Sequence, residues 1–110
     1  MKIDEWESQI RRGVVEFCIL LIINKKRTYG YEIINILENY TVLTVKENTV
    51  YPLLRRLMKQ EYILSEWKAG IEGLPSRKYY TITDKGKEYL SSMLKTWEKL
   101  LENVRELRGE

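Results

Sequence analysis

The chain has 110 residues and a formal net charge of +3, with 44% apolar and 32% charged side chains; this suits one globular domain and leaves no room for a catalytic domain beside a separate binding domain. The sequence contains no histidine, which excludes Ser-His-Asp and Cys-His catalysis and the common histidine zinc sites. Its one cysteine, Cys18, cannot form an internal disulfide and is expected to be a small core residue.

The longest uninterrupted apolar run, residues 17–23, is far shorter than the roughly 18 residues that a transmembrane helix needs. The charged start MKIDEWE also lacks the pattern of a secretory signal. The sequence therefore predicts a cytoplasmic protein with no membrane partner, no metal site and no cofactor.

The first predicted helix covers residues 6–24. Trp6, Ile10 and Val14 have helical spacing, whereas the apolar run that follows would also fit a buried strand; the total length favours a helix. A second helix is predicted to open at Thr28 or Tyr29. Its inward face is formed by Ile33, Ile34, Ile36, Leu37 and Tyr40.

The third predicted helix is amphipathic. Its apolar side chains recur at helical spacing, namely Val50, Leu53, Leu54, Leu57 and Met58, and the opposite face carries Asn48, Pro52, Arg55 and Lys59. Pro52 leaves the start of this helix open, because a proline inside a helix removes a donor and clashes one turn back. The helix begins either near Glu47 or at Pro52 itself.

Two β-rich runs, at residues 62–68 and 77–83, predict a hairpin with a longer loop. Thr83 is a suitable N-cap for a last helix from Asp84 to about Leu107. Three helices followed by a two-stranded hairpin are the winged helix-turn-helix arrangement, so the predicted fold class is mainly α (α+β). We expect residues 1–110 to form one domain, with a winged helix-turn-helix part over residues 1–83 and an additional long C-terminal helix over residues 84–110.

The positive charge is concentrated in the middle of the chain. Residues 46–78 hold seven basic and four acidic side chains. Residues 1–45 hold six basic and six acidic side chains, and so do residues 83–110. Side chains suited to DNA lie on or beside the exposed face of the third helix, namely Lys46, Asn48, Thr49, Tyr51, Arg55 and Lys59. A merely solvated helix face is an equal alternative there. The predicted wing residues Ser76, Arg77 and Lys78 favour DNA, since a wing would meet the sugar-phosphate backbone.

Four segments together resemble the PadR-like family of transcriptional regulators: YGYEI at residues 29–33, NTVYPLLRRL at 48–57, SRKYYTIT at 76–83, and the DKG that follows. The resemblance implies a winged-helix DNA-binding protein that dimerises chiefly through the helix after the wing. It also implies a recognition helix containing Thr49, Tyr51 and Arg55, a wing containing Arg77 and Lys78, and the earlier helix start with Pro52 inside.

The last helix carries an apolar stripe that its own domain has little surface to cover. The stripe comprises Leu90, Met93, Leu94, Trp97, Leu100, Leu101 and Val104, and Leu107 continues it. Leaving these side chains in water is costly, so a partner helix is expected, and a two-fold homodimer is the simplest arrangement. Such a dimer predicts a palindromic operator in double-stranded DNA, with half-sites about one helical turn apart.

Trp97 has two interpretations. Some members of the PadR-like family have short chains and respond to many drugs. In these proteins planar cationic drugs stack on a tryptophan of the final helix at the dimer interface, and Trp97 resembles that residue in position. The alternative is a large aromatic side chain that simply packs in the interface.

The sequence thus predicts a sequence-specific transcriptional regulator, more specifically a repressor, that binds DNA as a homodimer and is released by a planar aromatic or cationic effector. The alternative is a winged-helix module that binds protein rather than DNA. An enzyme is not expected, because the chain lacks histidine, has only two aspartates, Asp4 and Asp84, and has no glycine-rich phosphate loop.

Overall fold

The computed structural model describes residues 2–110. In chain order its elements are α1 (Ile3–Lys25), β1 (Thr28–Tyr29), α2 (Gly30–Glu38), a 3₁₀ turn (Thr41–Leu43), α3 (Glu47–Lys59), β2 (Ile63–Lys68), β3 (Arg77–Ile82) and α4 (Asp84–Arg108). This is the predicted winged helix-turn-helix, with α4 following the hairpin. Within the described residues, no helix combines the length and apolarity needed to span a membrane.

The three strands form one antiparallel sheet in the order β1-β3-β2. Strands β2 and β3 are paired from Ile63 opposite Ile82 to Lys68 opposite Arg77, which confirms the hairpin. Of the two residues predicted to open the second helix, Tyr29 is the N-cap of α2, which begins at Gly30. Both Thr28 and Tyr29 also pair with β3, which the sequence did not predict. The sheet edge offers them backbone partners that no local pattern reveals.

Helix α3 begins at Glu47, so the earlier of the two predicted starts is correct and Pro52 lies inside the helix. The first turn is fixed by backbone hydrogen bonds from Thr49 and Val50 to the Lys46 carbonyl, at 2.9 and 3.2 Å. The apolar face of the helix offsets the missing donor of Pro52, because Val50, Leu54 and Leu57 are essentially fully buried.

The core is built around α1, whose inner side chains meet those of α2, α3, the sheet and the start of α4. Its fully buried members include Ile19, Leu20, Ile33, Leu54 and Ile63. Cys18 is partly buried at the edge of this core, and burial raises the pKa of its thiol. Tyr40, predicted to face inward, is instead 57% exposed, because α2 ends at Glu38 and Tyr40 lies in the following turn.

Two contacts fix the direction in which α4 leaves the hairpin. The Thr83 hydroxyl caps the helix by accepting a hydrogen bond from the Gly86 backbone N–H at 2.9 Å, as predicted. Gly86 lies against the backbone of Tyr62, so close that a Cβ at this position would be 2.0 Å from the Tyr62 carbonyl oxygen. A larger residue would therefore push α4 away from the hairpin. Beyond this point α4 crosses α1, where the Trp97 and Phe17 rings lie 5.7 Å apart.

Candidate nucleic-acid interface

Helix α3 exposes most of the side chains predicted to contact DNA. Asn48, Thr49, Arg55 and Lys59 are exposed on it, and Lys46 is exposed just before its first residue. Among residues 2–110, no carboxylate oxygen lies within 4.0 Å of the charged nitrogens of Arg55 or Lys59. The face that α3 turns away from the core is therefore polar and carries unpaired positive charge.

Arg56, the neighbour of Arg55, is held in an ion pair across the domain. Its Nε lies 2.9 Å from Oε2 of Glu16 on α1, and its Nη2 donates to Oε1 of the same carboxylate at 3.1 Å. The Glu16 side chain is only 14% exposed. The pair fixes α3 against α1 and keeps Arg56 apart from the cationic face, so the two adjacent arginines have different environments.

Tyr51 is only partly exposed and packs over the first residue of α2. A Cβ on Gly30 would lie 2.5 Å from the Tyr51 hydroxyl, so the absence of a side chain at Gly30 lets the phenol lie there. Burial raises the pKa of Tyr51, and the neighbouring Tyr31 and Glu47 raise it further. Tyr51 is thus a neutral phenol near pH 7 and keeps a hydroxyl proton to donate.

The cationic side chains of the wing, Arg77 and Lys78, each lie against an aromatic ring. Ser76 and Arg77 are exposed at the loop end of β3, and Lys78 is half-buried beside them. The Arg77 guanidinium lies 4.4 Å from the centroid of the Tyr29 ring, which in turn meets Tyr79 edge-on at 5.4 Å. Strand β1, which carries Tyr29, therefore helps to orient a wing arginine.

Helix α3 and the hairpin form the walls of a cleft of about 740 Å³. The structure brings together there five of the predicted site residues, namely Tyr51, Arg55, Ser76, Arg77 and Lys78. The other residues that line it are Tyr29, Gly30, Tyr31, Asn35, Met58, Trp67, Pro75 and Tyr80. No carboxylate lines this cleft. The sequence patterns did not predict Tyr31, Asn35 or Trp67 as cleft residues, because the contact between α2, α3 and the hairpin brings them together.

Three other predicted residues lie at the N-terminal end of α3, outside this cleft. Lys46, Asn48 and Thr49 line a second depression, of 620 Å³, together with Arg11 and Arg12 of α1. Arg11 donates to the Val42 carbonyl at 2.8 Å and so ties the helix-turn-helix to α1. Arg12 is exposed. The balanced charge of residues 1–45 gave no sign of this additional cation beside α3.

The apolar stripe of α4 divides into a buried and an exposed part. Leu90 is 3% exposed within its own chain, so this predicted interface residue belongs to the core and presents no surface to a partner. Met93, Trp97 and Leu101 are half-buried, whereas Leu94, Leu100, Val104 and Leu107 are exposed. A groove of 350 Å³ between α1 and α4 is lined by Phe17, Met93, Trp97 and Leu100, among others.

Comparisons with known proteins agree with this geometry. Residues 19–92 match the Transcriptional regulator PadR-like family. The chain is 32% identical to a PadR family transcriptional regulator from Eggerthella lenta, with 96% of this chain and 90% of that one covered and a TM-score of 0.85. It is 39% identical to a PadR-like transcriptional regulator from Bacillus cereus, with 93% and 98% covered and a TM-score of 0.81. An uncharacterized protein of Lysinibacillus sphaericus is 38% identical over 99 residues, 88% of this chain and 90% of that protein.

Proposed function

Because the chain belongs to the PadR-like family of transcriptional regulators, which bind DNA and are not enzymes, we propose that it represses transcription as a homodimer bound to a palindromic operator. The observation that carries the proposal is the cleft between α3 and the wing. It unites Tyr51 and Arg55 with Arg77 and Lys78, and no acidic side chain lines it.

Helix α3 and the wing have separate roles in DNA binding. The exposed face of α3 enters the major groove, where Asn48, Thr49 and Arg55 meet base edges. The wing residues Ser76, Arg77 and Lys78 meet phosphates, which set the orientation of the domain without reading sequence. Lys46 and Lys59, at the two ends of α3, add phosphate contacts. Repression follows if the bound dimer blocks access to the promoter.

The second half of the proposal concerns α4. Its exposed apolar side chains, Leu94, Leu100, Val104 and Leu107, continue the half-buried row of Met93, Trp97 and Leu101. Burial of one such side chain contributes about 1.5 to 3 kcal/mol. A second copy of α4 buries the row in an isologous contact and sets two recognition helices at a fixed spacing.

Fluorescence anisotropy with DNA from the promoter beside the protein's own gene tests the function. We expect binding to the palindromic promoter fragment to be at least about a thousandfold tighter than binding to a random duplex of equal length. We also expect it to weaken steeply with added salt. Equal affinity for both duplexes would contradict specific regulation. It would favour the alternative of a protein-binding module, which predicts a hetero-complex in native mass spectrometry.

We further propose that the half-buried Trp97 stacks planar aromatic or cationic effectors in the groove between α1 and α4. The buried Phe17 ring, whose centroid lies 5.7 Å from that of the indole, also lines this groove. Titration with a Hoechst-type or ethidium-type dye is expected to quench tryptophan emission in the wild type, and Trp97→Ala is expected to abolish dye uptake. Trp6→Phe, which changes an exposed tryptophan on α1, is the control and should leave uptake unchanged. A folded, dimeric Trp97→Ala protein that still takes up dye would contradict the effector site.

A further inference from the structure

The hairpin has a face that begins in the core and ends outside it. Successive side chains of a strand point to opposite faces, so Ile63, Ser65 and Trp67 of β2 share one face. Their cross-strand partners on β3 are Ile82, Tyr80 and Lys78. Ile63 is 1% exposed and Tyr80 3%, whereas Trp67 is 66% exposed. The face that packs on the helices therefore continues past the last side chain that the helices cover, and Trp67 is the apolar side chain in the overhanging part.

The overhanging indole lies in the cleft already described. Trp67, on the wing side of the cleft, lines it together with Tyr51 and Arg55 on the α3 side. The Lys78 Nζ lies 6.0 Å from the centroid of the indole ring. A large apolar ring is thus exposed among cations, on the side of the hairpin that faces the recognition helix.

The charge of this cleft indicates which class of ligand it can bind. Arg55, Arg77 and Lys78 all line it and no Asp or Glu does, so the cleft suits a polyanion. A nucleic-acid strand also presents apolar surface between its charges, because each deoxyribose lies between two phosphates. Three cations and an exposed indole line the same cleft, which matches a strand that carries both phosphates and sugars.

We propose that Trp67 is a DNA-contacting residue, whose indole packs on a deoxyribose of the strand that crosses the cleft, between phosphates bound from the wing and from α3. This inference rests on the proposed DNA-binding function and adds to it a contact of a different kind. The indole displaces no counterion and reads no base edge. It therefore adds affinity that does not depend on sequence or on salt concentration.

The test compares full-length variants on the promoter duplex over a series of salt concentrations. We expect Trp67→Ala to lower affinity about tenfold per half-site, a loss near the lower end of what aromatic stacking on a base contributes. We expect Trp67→Phe to keep most of the affinity, because a phenyl ring also packs on a sugar. The matched control is Arg77→Ala, which removes a cation from the same wing. In a dimer it should reduce the slope of log K against log[salt] by about 1.8, whereas Trp67→Ala should leave the slope unchanged.

A second readout separates contact from folding. Because Trp67 is mostly exposed in the free protein, the Trp67→Ala variant should have the same Tm as the wild type. A clear loss of thermal stability would overturn the inference, since Trp67 would then act by holding the hairpin together. A changed salt slope in Trp67→Ala would overturn it as well, because the loss would then come from a displaced Lys78. If Trp67→Ala binds like the wild type while Arg55→Ala binds weakly, the inference fails and the proposed function stands. If the wild type does not prefer the promoter duplex, the proposed function fails first.

Discussion

Replacing Leu100 and Val104 together by glutamate is expected to convert the protein from a dimer into a monomer and to lower its affinity for a palindromic operator by about 10² to 10⁴. These side chains are 50% and 42% exposed in the single chain and lie one turn apart on the apolar stripe of α4. In the proposed dimer four carboxylates would enter an apolar contact, where each charge lacks a partner. The monomer would hold one half-site at a time, so the gain from linking two recognition helices would be lost.

Sedimentation velocity at micromolar concentration measures the first effect and fluorescence anisotropy the second. The control is Lys95→Glu with Lys99→Glu, which places two glutamates on the opposite face of α4, where both lysines are exposed. It changes the net charge by four per chain, twice as much as the test variant, yet should remain a dimer. Comparison of the two variants thus separates loss of the contact from loss of positive charge. A wild type that sediments as a monomer, or a test variant that remains a dimer, would contradict the proposed interface.

The elements that the sequence predicts well are those with a local cause. Thr83 caps α4 through a hydrogen bond three residues away, and the apolar periodicity of α3 is sufficient to place Val50, Leu54 and Leu57 in the core. Strand β1 has no such cause. Two residues are too short to show a period, and they are extended because β3 lies beside them. This strand affects the site, since its Tyr29 lies under Arg77.

The same distinction applies to the candidate interface. A helical wheel turns Arg55 outward, but it cannot show that Glu16, 40 residues earlier, holds Arg56. From residue type alone, a tryptophan in a strand would be placed in the core. Only the register of the hairpin shows that Trp67 lies beyond the covered part of its face. The burial of Leu90 likewise depends on where α4 crosses the rest of the domain, which the heptad-like spacing of its apolar residues does not encode.

The adjacent arginines of α3 offer the sharpest test of the interface, because the structure assigns them opposite consequences. Arg55→Ala is expected to lower operator affinity by about 1 to 3 kcal/mol per half-site, which is about thirtyfold to 10⁴-fold in a dimer, and to leave thermal unfolding almost unchanged. Arg56→Ala is expected to act on folding instead. It leaves the mostly buried Glu16 carboxylate without its cation, which should lower the free energy of unfolding by about 1 to 3 kcal/mol. Because Arg56 is largely exposed, we expect a value in the lower part of that range. A fall in Tm of at least about 4 °C should follow.

Anisotropy at a temperature well below both melting points, together with thermal unfolding followed by circular dichroism, separates the two effects. The double variant Glu16→Gln with Arg56→Ala removes the charge that Arg56→Ala alone leaves unpaired, so it should regain part of the lost stability. No such recovery is expected in DNA affinity, because the ion pair lies away from the cleft. If Arg56→Ala weakened operator binding as much as Arg55→Ala while remaining folded, the cationic face of α3 would have to include both arginines. The ion pair with Glu16 would then have to open in the complex.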